Sequence, residues 1–425
     1  MRFASPKRAP DHDRVFSSAD EWASTLPTPP SRLEDVHRMR IAYVAPYQGR
    51  TLQARRPIVG NLGLAANVKI ELVSELLEEG RHDVEIFSQG AVVEPHISFY
   101  PGFREPQLFH PAIPVSYASA LPIRRLNGAW SAFQTLRLFA RRHRKSPFDV
   151  LLIWNLQFPQ IVCALYAMRR LQLPVILEHE DDALVDIAGG QKTKLYRRLA
   201  RHVLGSVSGC IGVSPHILTR VRADIPQLLL RGLVSGEIVN ACREGRPRKD
   251  WVVYSGTHFR WKGLEQLVKA WVLLDLPQWE LHIAGHGEKT DTLKRMTEGY
   301  KNVVFHGLLD RAANAELLTT AKIGMNPHDV SATPGNLFAF KIVEYLAAGL
   351  HVITTPMGDL EGDLEAGITY IAHNAPETIA AALREVITKR QYERTATDAA
   401  QGTYGPTPVA RSLNALVTKV VGART

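Results

Sequence analysis

The sequence is short of cysteine and of long apolar runs, and has no more than ordinary amounts of glycine and proline, and each of these facts excludes a class of protein. Three cysteines stand in 425 residues. They are Cys163, Cys210 and Cys242, odd in number and without a CxxC pair, so neither a disulfide framework nor a cysteine-built zinc site is indicated. Thirty glycines and 26 prolines keep the chain well below low-complexity or collagen-like composition. No apolar stretch approaches the roughly 18 residues of a membrane-spanning helix, and Met1 to Val15 is polar and basic without the apolar core of a signal peptide. A cytosolic protein is the expectation. What is present, 45% hydrophobic and 22% charged residues, suffices for a globular protein of two or three domains at roughly 100 to 200 residues each.

Acidic residues are also in deficit, 42 against 51 basic ones, for a net charge of +9. A uniform excess would point to nucleic acid, anionic lipid or phosphorylated substrates. The excess is local. Between Pro122 and Lys145 stand Arg124, Arg125, Arg137, Arg141, Arg142, Arg144 and Lys145, with no acid among them. No recognition-helix, zinc or RNP-type signature accompanies this charge, which argues against nucleic acid. On a helix from about Trp130, the residues Trp130, Arg137, Arg141 and Arg144 fall in one stripe with Phe133 beside it. That mixture suits an anionic membrane surface; a charged surface helix packing its aromatics inward fits the same pattern.

Residues 1–38 are Pro-rich and sparsely apolar and read as a flexible tail. From Arg40 short β-branched runs alternate with helical stretches. Strands are expected at Ile41–Ala45, Val84–Phe87, Val150–Trp154, Val175–His179 and Cys210–Val213, with helices at Ala65–Glu79, Ile161–Leu171 and Leu195–Leu204. Gly232–Asp250 breaks the pattern and reads as an interdomain linker. After it, strands at Trp251–Ser255, Leu281–Ala284, Val303–His306, Ile323–Asn326 and His351–Thr355 alternate with helices, one at Leu337–Ala348. Continuous apolar strands between helices mean parallel sheets covered on both faces. The chain is therefore read as α/β with two doubly wound domains, at 39–235 and 251–405, a linker at 236–250, and a terminal helix at 406–425 packing back on the first domain.

Ligands of such sheets bind beyond the carboxyl ends of the strands, often at helix N-termini. Two segments meet this description. The first, Ser255-Gly256-Thr257-His258-Phe259-Arg260-Trp261-Lys262-Gly263, joins a strand to a helix. Glycine permits close backbone approach, and a lysine at a helix entry adds positive charge where the dipole already favours phosphate. A solvated lysine beside a turn glycine is the plainer reading. In the second, Thr333-Pro334-Gly335-Asn336 precedes the helix carrying Glu344, with Asn336 as candidate N-cap. Glu344 lies eight residues on, about 12 Å along and about 80° around the axis, so one helix would reach both ends of a nucleotide sugar. A solvated glutamate is less attractive, because Ile342, Val343, Tyr345 and Leu346 flank it.

The ordered segments VVYSGTHFRWKGLEQLVKAW, LHIAGHGE, NVVFHGLL, AELLTTAKIGMNP and NLFAFKIVEYLAAGLHVITTPMG resemble the nucleotide-binding half of the retaining GT-B glycosyltransferases of family 4, also called group 1. The first half is similar more loosely, through Ile41 to Pro46, the turn Gly60-Asn61-Leu62-Gly63 and IGVSPHI. The resemblance implies two Rossmann-like domains facing a central cleft. It implies a metal-independent, cofactor-free, retaining transfer of a hexose from a nucleoside diphosphate sugar to a hydroxyl of a lipid-linked or polysaccharide acceptor. A cytoplasmic enzyme of polysaccharide biosynthesis, peripheral on the inner face of the plasma membrane, is the setting that follows. Lys262, His179 and Asn336 are then the catalytic set. Lys262 would neutralise the leaving diphosphate and His179 would contact the transferred sugar. Glu344 would bind the ribose, Leu309 would lie beside the base, and Gly256, Arg260, Gly335, Asn336, Leu337 and Phe338 would complete the donor site. Gly60 and Gly63 resemble an acceptor-side loop, or form an ordinary turn.

Two positions depart from the family. Asn336 replaces the first glutamate of E-x7-E, and Thr257 replaces the usual arginine, with Arg260 the nearest substitute charge. His179, within Glu178-His179-Glu180-Asp181-Asp182, also admits a structural role, or a metal held through Glu180-x-Asp182. A sugar-nucleotide epimerase or hydrolase on the same fold, and a noncatalytic binding subunit, are the rival readings.

Overall fold

The computed structural model describes residues 38–56, 64–90, 92, 98–106, 113–123, 126–180, 194–331, 338–357 and 362–423. The expected tail, Arg38 apart, and the turn with Gly60 and Gly63 lie outside them. In the first lobe the strands are β1 Arg40–Val44, β2 Asp83–Ser88, β3 Phe103–Pro106, β4 Pro114–Tyr117, β5 Val150–Trp154, β6 Val175–His179, β7 Gly209–Gly212 and β8 Gln227–Leu229. They form one sheet in the order β3-β4-β2-β1-β5-β6-β7-β8. Every pairing is parallel except β3 with β4. Helices α1 Leu64–Glu79, α2 Asn127–Lys145, α3 Phe158–Tyr166 and α4 Lys194–Leu204 cover it.

Coverage on both faces explains the unbroken apolar strands. Ile41 and Tyr43 of β1 enter one core with Ile70, Val73 and Leu77 of α1, while Ala42 and Val44 enter another with Phe139 and Ile161. Alternate residues of one strand thus serve two cores, so no position is left for a solvated side chain.

The second lobe holds helix α5 Gly236–Arg243 and strands β9 Trp251–Ser255, β10 Glu280–Ala284, β11 Val303–Gly307, β12 Ile323–Asn326, β13 His351–Thr354 and β14 Ile368–Tyr370. The sheet is wholly parallel, ordered β11-β10-β9-β12-β13-β14. Helices α6 Leu264–Leu274, α7 Arg311–Thr320, α8 Phe340–Ala347 and α9 Pro376–Thr388 flank it, and α10 Pro406–Gly422 ends the described chain. Val409, Leu413, Leu416, Val417 and Val420 of α10 complete the first lobe's core beside Ile41 and Leu76.

Two expectations need correction. The stretch expected to be an irregular linker contains α5, started by Ser235, whose hydroxyl accepts from Ile238 N–H. Ile238 is buried in the second lobe's core. The helix expected from Leu337 begins at Phe340, with Ala339 at its cap and no side-chain cap. Phe338 packs on the second lobe's core and Phe340 on the first lobe's. These opposite anchors hold the intervening Ala339 extended (φ −87°, ψ 98°). Asn336 is therefore not the N-cap, and it lies outside the described residues with Gly335 and Leu337.

In each sheet the strand order reverses at one place: β1 lies between β2 and β5, and β9 between β10 and β12. Such switch points leave a crevice at the carboxyl ends of the strands.

Candidate functional site

The crevice between the lobes is a cavity of about 550 Å³. Lys69 of α1, Trp154 at the end of β5, and Gln157 and Glu180 line it from the first lobe. Arg231 and Ser235 line it from the segment between β8 and α5, and Gly256, Lys262, Leu309, Phe338, Lys341 and Glu344 from the second lobe.

Backbone contact between two strand-to-helix loops shapes the second lobe's wall. Gly256 N–H donates to Ala284 O (3.1 Å) and His258 N–H to His286 O (3.1 Å). Gly285 has φ +117°, and a Cβ there would lie 1.8 Å from Gly256 O, so only glycine lets the loops meet. Gly263 has φ +74°, and a Cβ there would strike Pro327 O at 1.7 Å. That close approach brings the turn Arg260–Lys262 beside the end of β12.

Lys262 is oriented from there. Its Nζ donates to His328 Nε2 (2.8 Å), and His328 Nδ1 donates in turn to Asn326 Oδ1 (2.7 Å). Asn326 Nδ2 donates to Thr354 Oγ1 (2.9 Å). Burial, then Lys262 and Lys341, hold His328 well below the usual imidazole range. A neutral ring with Nδ1–H is the state that can accept from Lys262. His258 is likewise held down, to about 4, chiefly by burial.

Glu344 and Lys341 lie three apart on α8, on one helical face. Burial pushes the Glu344 carboxyl up to about 7, against the opposing pull of Lys341. Tyr345, next on the helix, ties α8 to β9 by accepting from Ser255 N–H (2.7 Å).

The first lobe's wall is a buried charge network. Lys69, only 3% exposed, pairs with Glu180 and stands 3.7 Å from Glu178 Oε1. Tyr43 donates its hydroxyl to Glu178, whose carboxyl is raised by burial. Glu180 N–H donates to Asn155 Oδ1 (2.7 Å).

Residues 249–389 match the family described as glycosyl transferases group 1, and residues 66–226 match the glycosyl transferase 4-like domain. The chain carries the two domains of a group 1 glycosyl transferase. No curated protein sequence matches it. Sucrose-phosphate synthase from Thermosynechococcus elongatus superposes with a TM-score of 0.62 at 16% identity, covering 88% of this chain and 96% of the other. Anabaena HepE, solved with UDP-glucose, gives 0.59 at 15% identity over 91% and 100% of the two chains. WaaG, a glycosyltransferase involved in lipopolysaccharide biosynthesis, gives 0.55 at 14% identity over 87% and 98%. At such identities the likeness is one of fold, and that fold, two Rossmann-like domains around a cleft, is GT-B.

Among the residues expected to form this glycosyl transferase's donor site, Gly256, Lys262, Leu309, Phe338 and Glu344 meet in the one cavity. Arg260 does not join them. It is exposed, and its backbone N–H donates to Glu288 Oε1 (3.1 Å). His179 is wholly buried at the end of β6 and absent from the cavity lining, where Glu180 stands instead. Gly60, Gly63, Gly335, Asn336 and Leu337 lie outside the described residues. So do Asp181 and Asp182; among the described residues no three His, Cys, Asp or Glu side chains are grouped to hold a metal.

Sequence reasoning passed over Lys69, His328, Lys341 and Arg311. For Lys341 a signal existed, because a lysine among apolar residues one turn before Glu344 shares its face. For His328 none did, since its role depends on the fold placing β12 beside Lys262.

The basic stripe lies at the surface. On α2, Arg137, Arg141 and Arg144 are exposed, Phe133 is 56% exposed, and Trp130 meets Phe99 edge to face at 6.4 Å. Phe139 points inward. Among the described residues no helix is long and apolar enough to cross a membrane.

Proposed function

We propose that this group 1 glycosyl transferase moves a sugar from a nucleoside diphosphate donor to a hydroxyl acceptor, with retention and without a metal. The observation that carries the reading is that Lys262 and Glu344, far apart in sequence, line one interlobe cavity at the sheet's switch point. Lys262, held by neutral His328, faces the leaving diphosphate. The N-terminus of α8, with no side-chain cap among the described residues, presents its first backbone N–H groups to the same charge. Glu344, once ionised, accepts from ribose hydroxyls. The acceptor enters along the first lobe's wall, by Lys69, Trp154 and Glu180. Its oxygen bonds to the anomeric carbon on the face from which the diphosphate departs, and its proton passes to the leaving phosphate oxygen. HepE was solved with UDP and with UDP-glucose, so uridine donors are the first to test.

Release of nucleoside diphosphate from UDP-, GDP- and ADP-sugars, each with and without glycan or lipid-linked acceptors, is the measurement. Acceptor-dependent release that disappears in a folded Lys262→Ala variant is expected. Near-normal turnover in that variant sinks the assignment. Conversion of donor alone would favour an epimerase or hydrolase, and no turnover with any donor a binding subunit.

The exposed Phe99, Leu126 and Phe133 beside Arg137, Arg141 and Arg144 support a second element of the proposal. The enzyme is cytoplasmic, serves polysaccharide biosynthesis and rests on an anionic membrane surface through the first lobe, next to a lipid-linked acceptor. Insertable rings flanked by cations are what such a surface selects.

A further inference from the structure

In the wall of the donor cavity, Lys341 has no acceptor for its amine among the described residues. It stands in the first turn of α8, and its Nζ is shut off from solvent with no hydrogen-bond partner among the described residues. Nζ lies 3.6 Å from the centroid of the Tyr254 ring. On its other side is the main chain of Gly256, where a Cβ would come within 2.7 Å of Nζ. A charged amine out of water with no acceptor is strongly disfavoured, and one aromatic face offsets only a small part of that. An anionic ligand entering the cavity would supply the missing acceptor.

The neighbourhood says which ligand. The titratable groups facing Lys341 are Tyr254 on β9, Lys262 and His258 on the loop after it, His328 beyond β12, and Glu344 on α8. Both histidines are held neutral. Lys262 therefore supplies the positive charge at this end of the cavity, opposed by Glu344 one turn along from Lys341. Burial and the Lys262 ammonium hold the Lys341 amine well below the usual lysine range. A dianion placed between the two lysines would reverse the repulsion and favour the charged form. The four-carbon stem lets Nζ turn from the ring to the cavity without moving the helix.

We propose that Lys341 is a second diphosphate-binding residue. When a nucleoside diphosphate enters, Nζ leaves the Tyr254 ring, takes up a proton and pairs with phosphate oxygens beside Lys262. This rests on the donor reading above and deepens it, for it supplies the cation that position 257, a threonine, does not.

Calorimetric titration of wild type, Lys341→Met and Lys341→Arg tests it. The ligands are UDP, GDP and ADP and the corresponding nucleosides, at pH 8 in two buffers of different ionisation enthalpy. Lys341→Met should lose on the order of 10- to 100-fold in affinity for the preferred diphosphate while its affinity for the nucleoside stays unchanged. The proton uptake of wild type should vanish in this variant. Lys341→Arg should retain most of the preference for diphosphate over nucleoside. Thermal unfolding should show Lys341→Met at least as stable as wild type, since it removes a buried amine without a partner. An unchanged diphosphate-to-nucleoside ratio in Lys341→Met overturns the inference while leaving the donor reading standing. Equal losses for both ligands overturn it as well, by assigning Lys341 to the fold. If wild type binds none of the three diphosphates, the donor reading falls and the inference with it.

Discussion

Glu344 couples the site's chemistry to the stability of the fold. Its carboxyl, ordinarily near 4.5, sits at about 7 in the folded chain because it is buried. An acid raised on folding contributes stability that is fully present below its unfolded value and lost as pH rises through its folded one. Between pH 4.5 and about 7 the ionising carboxylate should therefore cost the fold on the order of 3 kcal/mol. Glu344→Gln should remove that slope, being more stable than wild type at pH 8 and about equal at pH 4.5. Denaturant unfolding at the two pH values checks this, and an equal loss at both would show that the side chain supports the fold in either charge state. Nucleoside binding should change in the opposite direction, strengthening as pH rises through about 7, because only the carboxylate accepts from two hydroxyls. Glu344 was legible because apolar residues flanked it on every side. Lys341 carried a fainter sign, its place on the face of Glu344 one turn earlier, but a lysine reads as solvent-facing, and the approach of Tyr254 and Gly256 is what shows its amine to be enclosed.

Legibility among the elements depended on length and on how many sides were covered. β5, β6, β9 and β12 were readable to the residue as continuous apolar runs, because sheet neighbours and two cores surround them. β3, β8 and β14 are short edge strands with few buried positions and β4 lies one in from the edge, so they carry no apolar run like that of the comparably short but fully buried β12. On α2 the period was clear, but the direction of its aromatics was not, since that depends on which side meets β2. Phe139 faces Phe87 and Phe148, and this turns Phe133 and three arginines to solvent. Wild type should therefore float with vesicles containing phosphatidylglycerol, less so as salt rises. Phe133→Ser with Arg137→Glu and Arg141→Glu should abolish flotation with melting unchanged; flotation as strong as wild type would count against a membrane-facing helix. Arg142 is the internal control. Its Nε donates to both carboxylate oxygens of buried Glu85 (3.1 and 2.9 Å) and its Nη2 to one of them (2.8 Å), so Arg142→Gln should lower stability and leave vesicle binding intact.

At the scale of the molecule the question is what holds the two lobes together around the donor. The chain crosses between them twice, through Leu230–Gly236 and again at Gly405, where α10 leaves Tyr404 in the second lobe's core for the first lobe. Two crossings permit the lobes to rock but not to part. One clasp opposes rocking. Arg311 Nη1 donates to both Glu75 oxygens on α1 (2.7 and 2.9 Å), and Nη2 donates to Glu237 on α5 (3.0 Å). Arg311 is the first residue of α7, where the helix dipole disfavours positive charge. That local misfit was the sequence's sign of a distant partner. Both side chains of the Arg311–Glu75 pair are nearly buried, 11% and 12% exposed. Arg311→Met strands Glu75 beside Glu237 and should cost about 3 kcal/mol. Adding Glu75→Gln removes the stranded charge and should restore part of the loss. Denaturant unfolding reads both, and small-angle scattering should show a larger radius of gyration for the single variant. Because Arg311 follows Leu309 and Asp310 in the cavity wall, the loop beside the expected base site is the one that reaches the acceptor-side helix. Loosening the clasp should therefore weaken donor binding without touching Lys262. An unaltered radius of gyration with full donor affinity would confine the clasp to local stability.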